Sequence, residues 1–258
     1  MTKFKQITLL SFVLLIGILW FCIQDKISNW WVIFPILIWL IFTIYGVFEI
    51  RFNYFLSALN KGNEKQKKII ALTFDDGPTE ITPRILEILQ RYNAKATFFC
   101  IGQQIEKFPE ILKEQANHGH TIGNHTFHHS SKIGFYSSDH VKKEIFSTNQ
   151  LIEKVIQKKT RLFRLPFGVT NPHIAKAIQQ TNHLVIGWSI RSLDTMISDE
   201  EQLYRRIVAQ IKPGAILLMH DTTDKTANVL EQLFVFLQKE NYQVVPLDEL
   251  LKIDVYEN

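Results

Sequence analysis

Two adjacent carboxylates, Asp75 and Asp76, close an apolar run and precede Gly77-Pro78. Acidic residues before Gly-Pro are ordinary turn formers. Such a pair also has a chemical use, because one carboxylate can ligate a metal while the other stays free as a base. Three histidines crowd into His125-Thr126-Phe127-His128-His129. His125 and His129 stand four apart, which is one face of a helical turn and a metal-ligand spacing. His128 then points elsewhere and reads as structural; the bland alternative is a polar loop. Further along, Arg164 heads the rigid turn Leu165-Pro166-Phe167-Gly168, Arg191 and Asp194 are loop charges, and His220-Asp221 ends another apolar run. Each cluster alone is explicable as a turn, a solvated charge or a structural histidine. Together they are the parts of a metal hydrolase site. Two histidines and one carboxylate around zinc leave coordination positions open. A free carboxylate and a further histidine beside them suit metal-assisted hydrolysis.

These residues share a place in the pattern, since each cluster follows a strand. Strand-like runs fall at 68–74, 96–101, 121–123, 162–164, 184–189, 215–219 and 243–246. Helical stretches follow at 83–92, 109–118, 138–158, 171–182, 199–211, 226–240 and 247–252. Seven strand–helix units predict a parallel sheet, open or closed into a barrel. In such folds the chemistry sits at the strand ends.

The first 59 residues differ in kind. Residues 7–23 and 30–48 carry no charge. As helices they would be about 26 and 29 Å long, against a hydrocarbon core of about 30 Å. The link 24–29 is short and polar, and Trp20, Trp30 and Trp31 sit near the linked ends, as interfacial indoles do. The expectation is a transmembrane hairpin over 1–59, a lysine-rich linker over 60–67 and a catalytic domain over 68–258. A cleaved signal peptide fits poorly, because Trp20-Phe21-Cys22 stands where small residues are needed. Lys3 and Lys5 precede the first span, and Arg51, Lys61, Lys65, Lys67 and Lys68 follow the second. The positive-inside rule then places both termini, and the domain, in the cytoplasm. Phe52, Tyr54, Phe55 and Leu56 continue the apolar stretch and are expected to pack the linker rather than lie along the bilayer.

Composition narrows the choice. A hydrophobic content of 46% with 21% charge excludes a mostly disordered chain. A net charge of +4, scattered along the chain, argues against a nucleic-acid partner. Two cysteines, Cys22 and Cys100, exclude a disulfide scaffold or a cysteine-built zinc site.

Over about residues 68–250 the sequence resembles the NodB-homology polysaccharide deacetylases, carbohydrate esterase family 4. The likeness rests on Thr73-Phe74-Asp75-Asp76-Gly77-Pro78, His125-Thr126-x-x-His129, Arg164-x-Pro166-Phe167-Gly168 and Leu218-x-His220-Asp221, in that order. It implies an α/β fold, a distorted and incomplete (β/α) barrel. It implies a divalent metal, usually zinc, held by Asp76, His125 and His129. Asp75 would be the general base toward water, with Arg164 holding it ionised. The Phe167 N–H and the metal would stabilise the tetrahedral oxyanion. His220 would protonate the leaving amine, oriented by Asp194, and Leu218 would line the acetyl pocket. One motif departs: where the family often reads D-x-x-D-W, this chain has Arg191-Ser192-Leu193-Asp194-Thr195. The partner of His220 survives, but Arg191 and Thr195 replace an aspartate and a pocket tryptophan. Trp188 is expected to pack within its strand rather than compensate.

The resemblance therefore implies a hydrolase that removes N-acetyl groups from amino sugars of a polysaccharide, oligosaccharide or glycan precursor. The expected partners are that carbohydrate and, through the hairpin, membrane lipid. One alternative is removal of a formyl or other acyl group from a lipid-linked amino sugar. Another, of a different class, is an inactive membrane-tethered sugar-binding module.

Overall fold

The computed structural model describes residues 2–63 and 67–257; the middle of the expected linker, with Lys65, lies outside the described residues. Helices α1 (Lys3–Ile23) and α2 (Ile33–Phe48) form an N-terminal hairpin, α2 being entered through a 3-10 turn at Asn29–Val32. α1, and α2 taken with its 3-10 turn (Asn29–Phe48), are apolar and long enough to cross a bilayer, and few of their residues are buried. Trp39 Nε1 donates to Thr8 Oγ1 at 2.9 Å and ties the pair together. The first helix begins earlier than its charge-free core, so Lys3 and Lys5 lie within it.

The rest alternates strand and helix. In chain order come β1 (Ala58–Leu59), β2 (Ile69–Asp75), α3 (Thr82–Arg91), β3 (Thr97–Cys100), α4 (Gly102–Lys107), α5 (Pro109–Asn117) and β4 (Thr121–Asn124). Then follow α6 (Ser138–Ile156), β5 (Leu162–Phe163), α7 (Pro172–Thr181), β6 (Leu184–Ile186), β7 (Ile190–Arg191) and α8 (Glu200–Val208). Strand β8 (Ile216–His220), α9 (Asp224–Lys239), β9 (Gln243–Val244) and α10 (Leu247–Leu251) complete the chain. All strand pairs are parallel, in the order β1-β6-β5-β4-β3-β2-β8-β7, with β9 on the lower end of β2. Every expected helix is present, and α4 is additional.

The 184–189 run is not one strand. It breaks after Ile186, and the chain reaches β7, at the other end of the strand order, through Gly187-Trp188-Ser189. Three residues bridge the two ends only because the sheet is curled, and this link is the seam of the incomplete barrel. Gly187 N–H donates to Leu59 O on one side (2.9 Å) and Ser189 N–H to Ile216 O on the other (3.0 Å).

Period-2 alternation explains how β2 serves both layers. Ile70, Leu72 and Phe74 join the apolar layer under the outer helices. Ile69 and Ala71 point inward to a second cluster with Phe99, Leu162, Ile186, Ile216 and the α10 residues Leu247 and Leu250. Above this plug the inward positions are Thr73 and Asp75, where the barrel interior turns polar.

The segment after α2 docks on the domain. Tyr54, Phe55 and Leu56 are buried, and β1 pairs with β6. Tyr54 O packs back to Phe4 N–H at 3.0 Å, and its ring lies against Gly46, where an added Cβ would stand 2.2 Å from the ring. Thr170 Oγ1 donates to Gly46 O at 2.7 Å, and Thr170 N–H to Val47 O at 2.9 Å. The end of α2 is thus clamped to the loop that follows Arg164.

Candidate active site

The sequence-selected residues converge at the C-terminal ends of the strands. Arg164, directly after β5, is fully buried at the centre. Its Nη1 donates to Thr73 Oγ1 and Asp75 Oδ1, both at 2.7 Å. Nε reaches Ile186 O at 3.2 Å, and Nη2 reaches Gly187 O at 2.9 Å. Its guanidinium lies 4.1 Å from the Phe99 ring centroid. The fork therefore spans three strands and the seam, a geometry only arginine supplies.

Asp76, His125 and His129 form a compact donor set, their candidate ligand atoms within 4.8 Å of one another. Asp76 Oδ1 lies 3.5 Å from His125 Nε2 and 3.4 Å from His129 Nε2. That oxygen is buried with no hydrogen-bond partner among the described residues. A buried acceptor without a donor is costly, and a cation between the three residues would satisfy it. The residues therefore fit a divalent metal. His125 Nδ1 bonds Arg164 O at 2.8 Å, which leaves Nε2 facing the cluster. Burial, with the neighbouring His129, pushes His125 down to about 3, so its ring is neutral and able to ligate. Asp76, Thr126, His129 and Phe167 all adopt positive φ. Such conformations are rare for residues other than glycine and collect where function requires them.

On the neighbouring strand, in register with Asp75, His220 bonds Asp194 Oδ1 through Nδ1 at 2.7 Å, its Nε2 lying 3.9 Å from Asp76 Oδ2. Asp194 is buried, accepts also from Ser192 Oγ, Thr226 Oγ1 and the His220 N–H, and is held below the usual carboxylate range despite burial. Burial opposes a charge on His220, but the Asp194 bond and the charges of Asp194, Asp75 and Asp76 outweigh it and raise the ring to about 9. Asp75 is held by Arg164, whose charge and hydrogen bond favour the carboxylate form as expected. Its burial outweighs the Arg164 charge and raises its pKa, so Arg164 orients this carboxylate while the site keeps it receptive to a proton.

One pH-dependent result follows. In chelator-treated protein, the His220 ring resonances should titrate near pH 9. The imidazolium persists below that value and is lost above it. Asp194→Asn removes the strongest raising influence and leaves burial, so the midpoint should fall below 9. An unchanged midpoint in the variant would refute this assignment.

The cavity above these groups is about 250 Å³ and is lined also by Leu165, Phe167, Trp188, Arg191, Thr195 and Leu218. Of the third motif, Pro166 and Gly168 are buried beneath it, while the half-exposed Phe167 ring lies 4.7 Å from His129. Trp188 corrects the sequence reading. It sits in the seam, not within a strand, and walls the cavity between Arg164 and Arg191, 5.9 and 5.7 Å from their guanidinium carbons. A Cβ on Gly168 would stand 2.7 Å from the Trp188 ring and 3.7 Å from Ile50, so the segment after α2 backs this wall.

Sequence reasoning passed over Glu144. This buried carboxylate accepts from the N–H groups of Phe127 (3.1 Å) and His128 (2.9 Å) and bonds His128 Nδ1 at 2.7 Å, pinning the histidine loop. His128 accordingly turns away from Asp76. The signal was available, since Glu144 shares the buried stripe of α6 with Val141, Ile145, Thr148 and Ile152, and an acid on an apolar helix face requires a partner.

A family model described as polysaccharide deacetylase matches residues 62–186. The chain is 31% identical over 199 residues to peptidoglycan-N-acetylmuramic acid deacetylase PdaA of Bacillus subtilis, covering 75% of each chain. It is 34% identical over 157 residues to a peptidoglycan-N-acetylglucosamine deacetylase of Bacillus cereus, covering 60% of this chain and 57% of that one. Among solved structures it superposes on the Bc1960 peptidoglycan N-acetylglucosamine deacetylase with a TM-score of 0.72, at 29% identity over 77% of this chain and 94% of that one. It also superposes on BA3943 of Bacillus anthracis, described as a CE4 family pseudoenzyme, with a TM-score of 0.70 at 30% identity, over 75% and 68% of the two chains. The chain belongs to the polysaccharide deacetylase family, carbohydrate esterase family 4, and is a hydrolase of carbon–nitrogen bonds other than peptide bonds.

Proposed function

We propose that this chain is a metal-dependent deacetylase that removes N-acetyl groups from amino sugars of a peptidoglycan-type glycan, anchored to a membrane by its N-terminal hairpin. The observation that carries the reading is the buried, unpartnered Asp76 Oδ1 between the imidazoles of His125 and His129, with Asp75 and His220 on either side. The relatives' names supply the substrate class. Likeness to a pseudoenzyme makes the fold alone uninformative about turnover. The filled acid, base and ligand positions argue for activity over an inactive sugar-binding module.

Asp76, His125 and His129 would hold the metal, zinc being the first choice for two imidazoles and a carboxylate. When bound it supplies Lewis acidity toward the acyl oxygen. The chain does the rest. Asp75 Oδ2 takes a proton from the attacking water, while its Oδ1 is fixed by Arg164. The charged His220 returns a proton to the leaving amine, its ring fixed by Asp194. The Phe167 N–H and Leu218 serve the acyl group, and Trp188 offers the sugar a flat apolar face. The products are a free amino sugar and acetate.

The test uses the full chain in detergent, loaded with zinc and offered N-acetyl and N-formyl glucosamine and muramic acid oligomers. Acetate release that stops on chelation is expected. Formate release alone would favour the formyl alternative, which the small Thr195 makes worth including. A metal-replete sample that releases neither acid overturns the proposal. A C-terminal reporter fusion reads the side of the membrane: the positive-inside rule favours the cytoplasm, which would direct the substrate search to glycan precursors, whereas an exported domain would meet peptidoglycan itself.

A further inference from the structure

Around the cavity Asp75 pairs with Arg164 and His220 with Asp194, and Asp76 faces the two candidate ligand imidazoles. Among the described residues, no hydrogen bond or ion pair engages the Arg191 guanidinium. It stands at the end of β7 in register with Leu218, on the cavity wall beside Thr195. It is not simply a solvated arm, because it lies over the Trp188 ring at 5.7 Å, a cation–π contact that orients it. Outside the cavity, the Glu49 carboxylate feels the Arg191 charge but is engaged by Arg51 through two bonds of 2.6 and 2.5 Å. Glu49 is held below its usual range first by that bond, against burial, and also by the Arg191 charge. Arg51 and Glu49 thus form a closed pair, and the Arg191 guanidinium has no hydrogen-bonded carboxylate among the described residues.

We propose that Arg191 is a specificity-determining residue that selects amino sugars bearing an anionic group, a carboxylate or a phosphate, beside the N-acyl substituent. The proposal rests on the deacetylase reading and names its substrate class. With the acyl group at Asp75 and the ligand triad, and the ring along Trp188, a sugar presents its next substituent to Arg191. A neutral sugar leaves that guanidinium to water. A carboxylate or phosphate receives its paired N–H donors, a geometry arginine matches and lysine does not.

Binding separates this from the reaction itself. In the full-length Asp75→Asn chain, affinities are measured for N-acetylglucosamine, N-acetylmuramic acid and N-acetylglucosamine 1-phosphate. At low salt at least one anionic sugar should bind about ten-fold tighter than the neutral one, the scale of one charge-assisted hydrogen bond. Adding Arg191→Gln should collapse that ratio toward one, and Arg191→Lys should restore part of it. Thermal melts check that each variant is folded. The tighter of the two anions assigns the source, a ring carboxylate or a sugar phosphate. Equal affinities in the parent, or a ratio that survives Arg191→Gln, overturn the proposal. Turnover of the neutral sugar by the unsubstituted chain is read separately, so loss of the deacetylase reading and loss of this one are distinguishable.

Discussion

Asp75→Asn should lower kcat by a factor between about 10² and 10⁴, the range for loss of a positioned general base. The asparagine keeps the shape and can still accept from Arg164, but it has no basic oxygen for the proton of the attacking water. The expectation rests on geometry: Oδ1 is committed to Arg164 at 2.7 Å, while Oδ2 lies 3.7 Å from His125 Nε2, beside the donor set. Metal content measured on the purified variant should match the parent, because the ligand residues are Asp76, His125 and His129. Activity within ten-fold of the parent in a metal-replete sample would assign the base elsewhere. Loss of metal together with activity would instead show that Asp75 belongs to the ligand set.

Arg164→Met should be the most destabilising single change in the site. It deletes four hydrogen bonds and leaves the Asp75 carboxylate buried without its cation. Breaking a buried pair from one side costs about 3–5 kcal/mol. At about 2–4 °C per kcal/mol for a chain of this size, the melting temperature should fall by roughly 6–20 °C. Lysine should rescue little, because a point charge cannot reach Asp75 and two seam carbonyls together. The double variant Asp75→Asn/Arg164→Met removes the stranded charge and should be more stable than Arg164→Met alone. A melting temperature within about 2 °C of the parent for Arg164→Met would show that water replaces the guanidinium.

The residues of the site were legible because they follow apolar runs, and a parallel sheet gathers strand ends at one rim. Asp75, His125, Arg164 and His220 could be placed on that rim from spacing alone. What spacing does not carry is pairing between distant segments. The two residues of β1 have no run of their own and become a strand only by lying beside β6. Trp188 reads as a strand residue because it continues the apolar run that begins at Leu184. Its place in the seam depends on the curl of the whole sheet, which no local window contains. The net direction of the Asp75 shift is likewise not local. A neighbouring arginine can be guessed from a motif, but the depth at which both are buried is a property of the fold. Glu144 is the exception, since a carboxylate on the apolar face of an amphipathic helix is readable from sequence.

The clamp of Thr170 on the last carbonyls of α2 gives the hairpin more than one task. A catalytic head on a slack leash would sweep a wide volume and meet glycans at many heights. Here the mount is stiff and is fastened behind the catalytic wall, a few residues from Phe167. With the hairpin in a bilayer, the cleft works at one fixed height, and its choice among glycan strands becomes a matter of distance as well as chemistry.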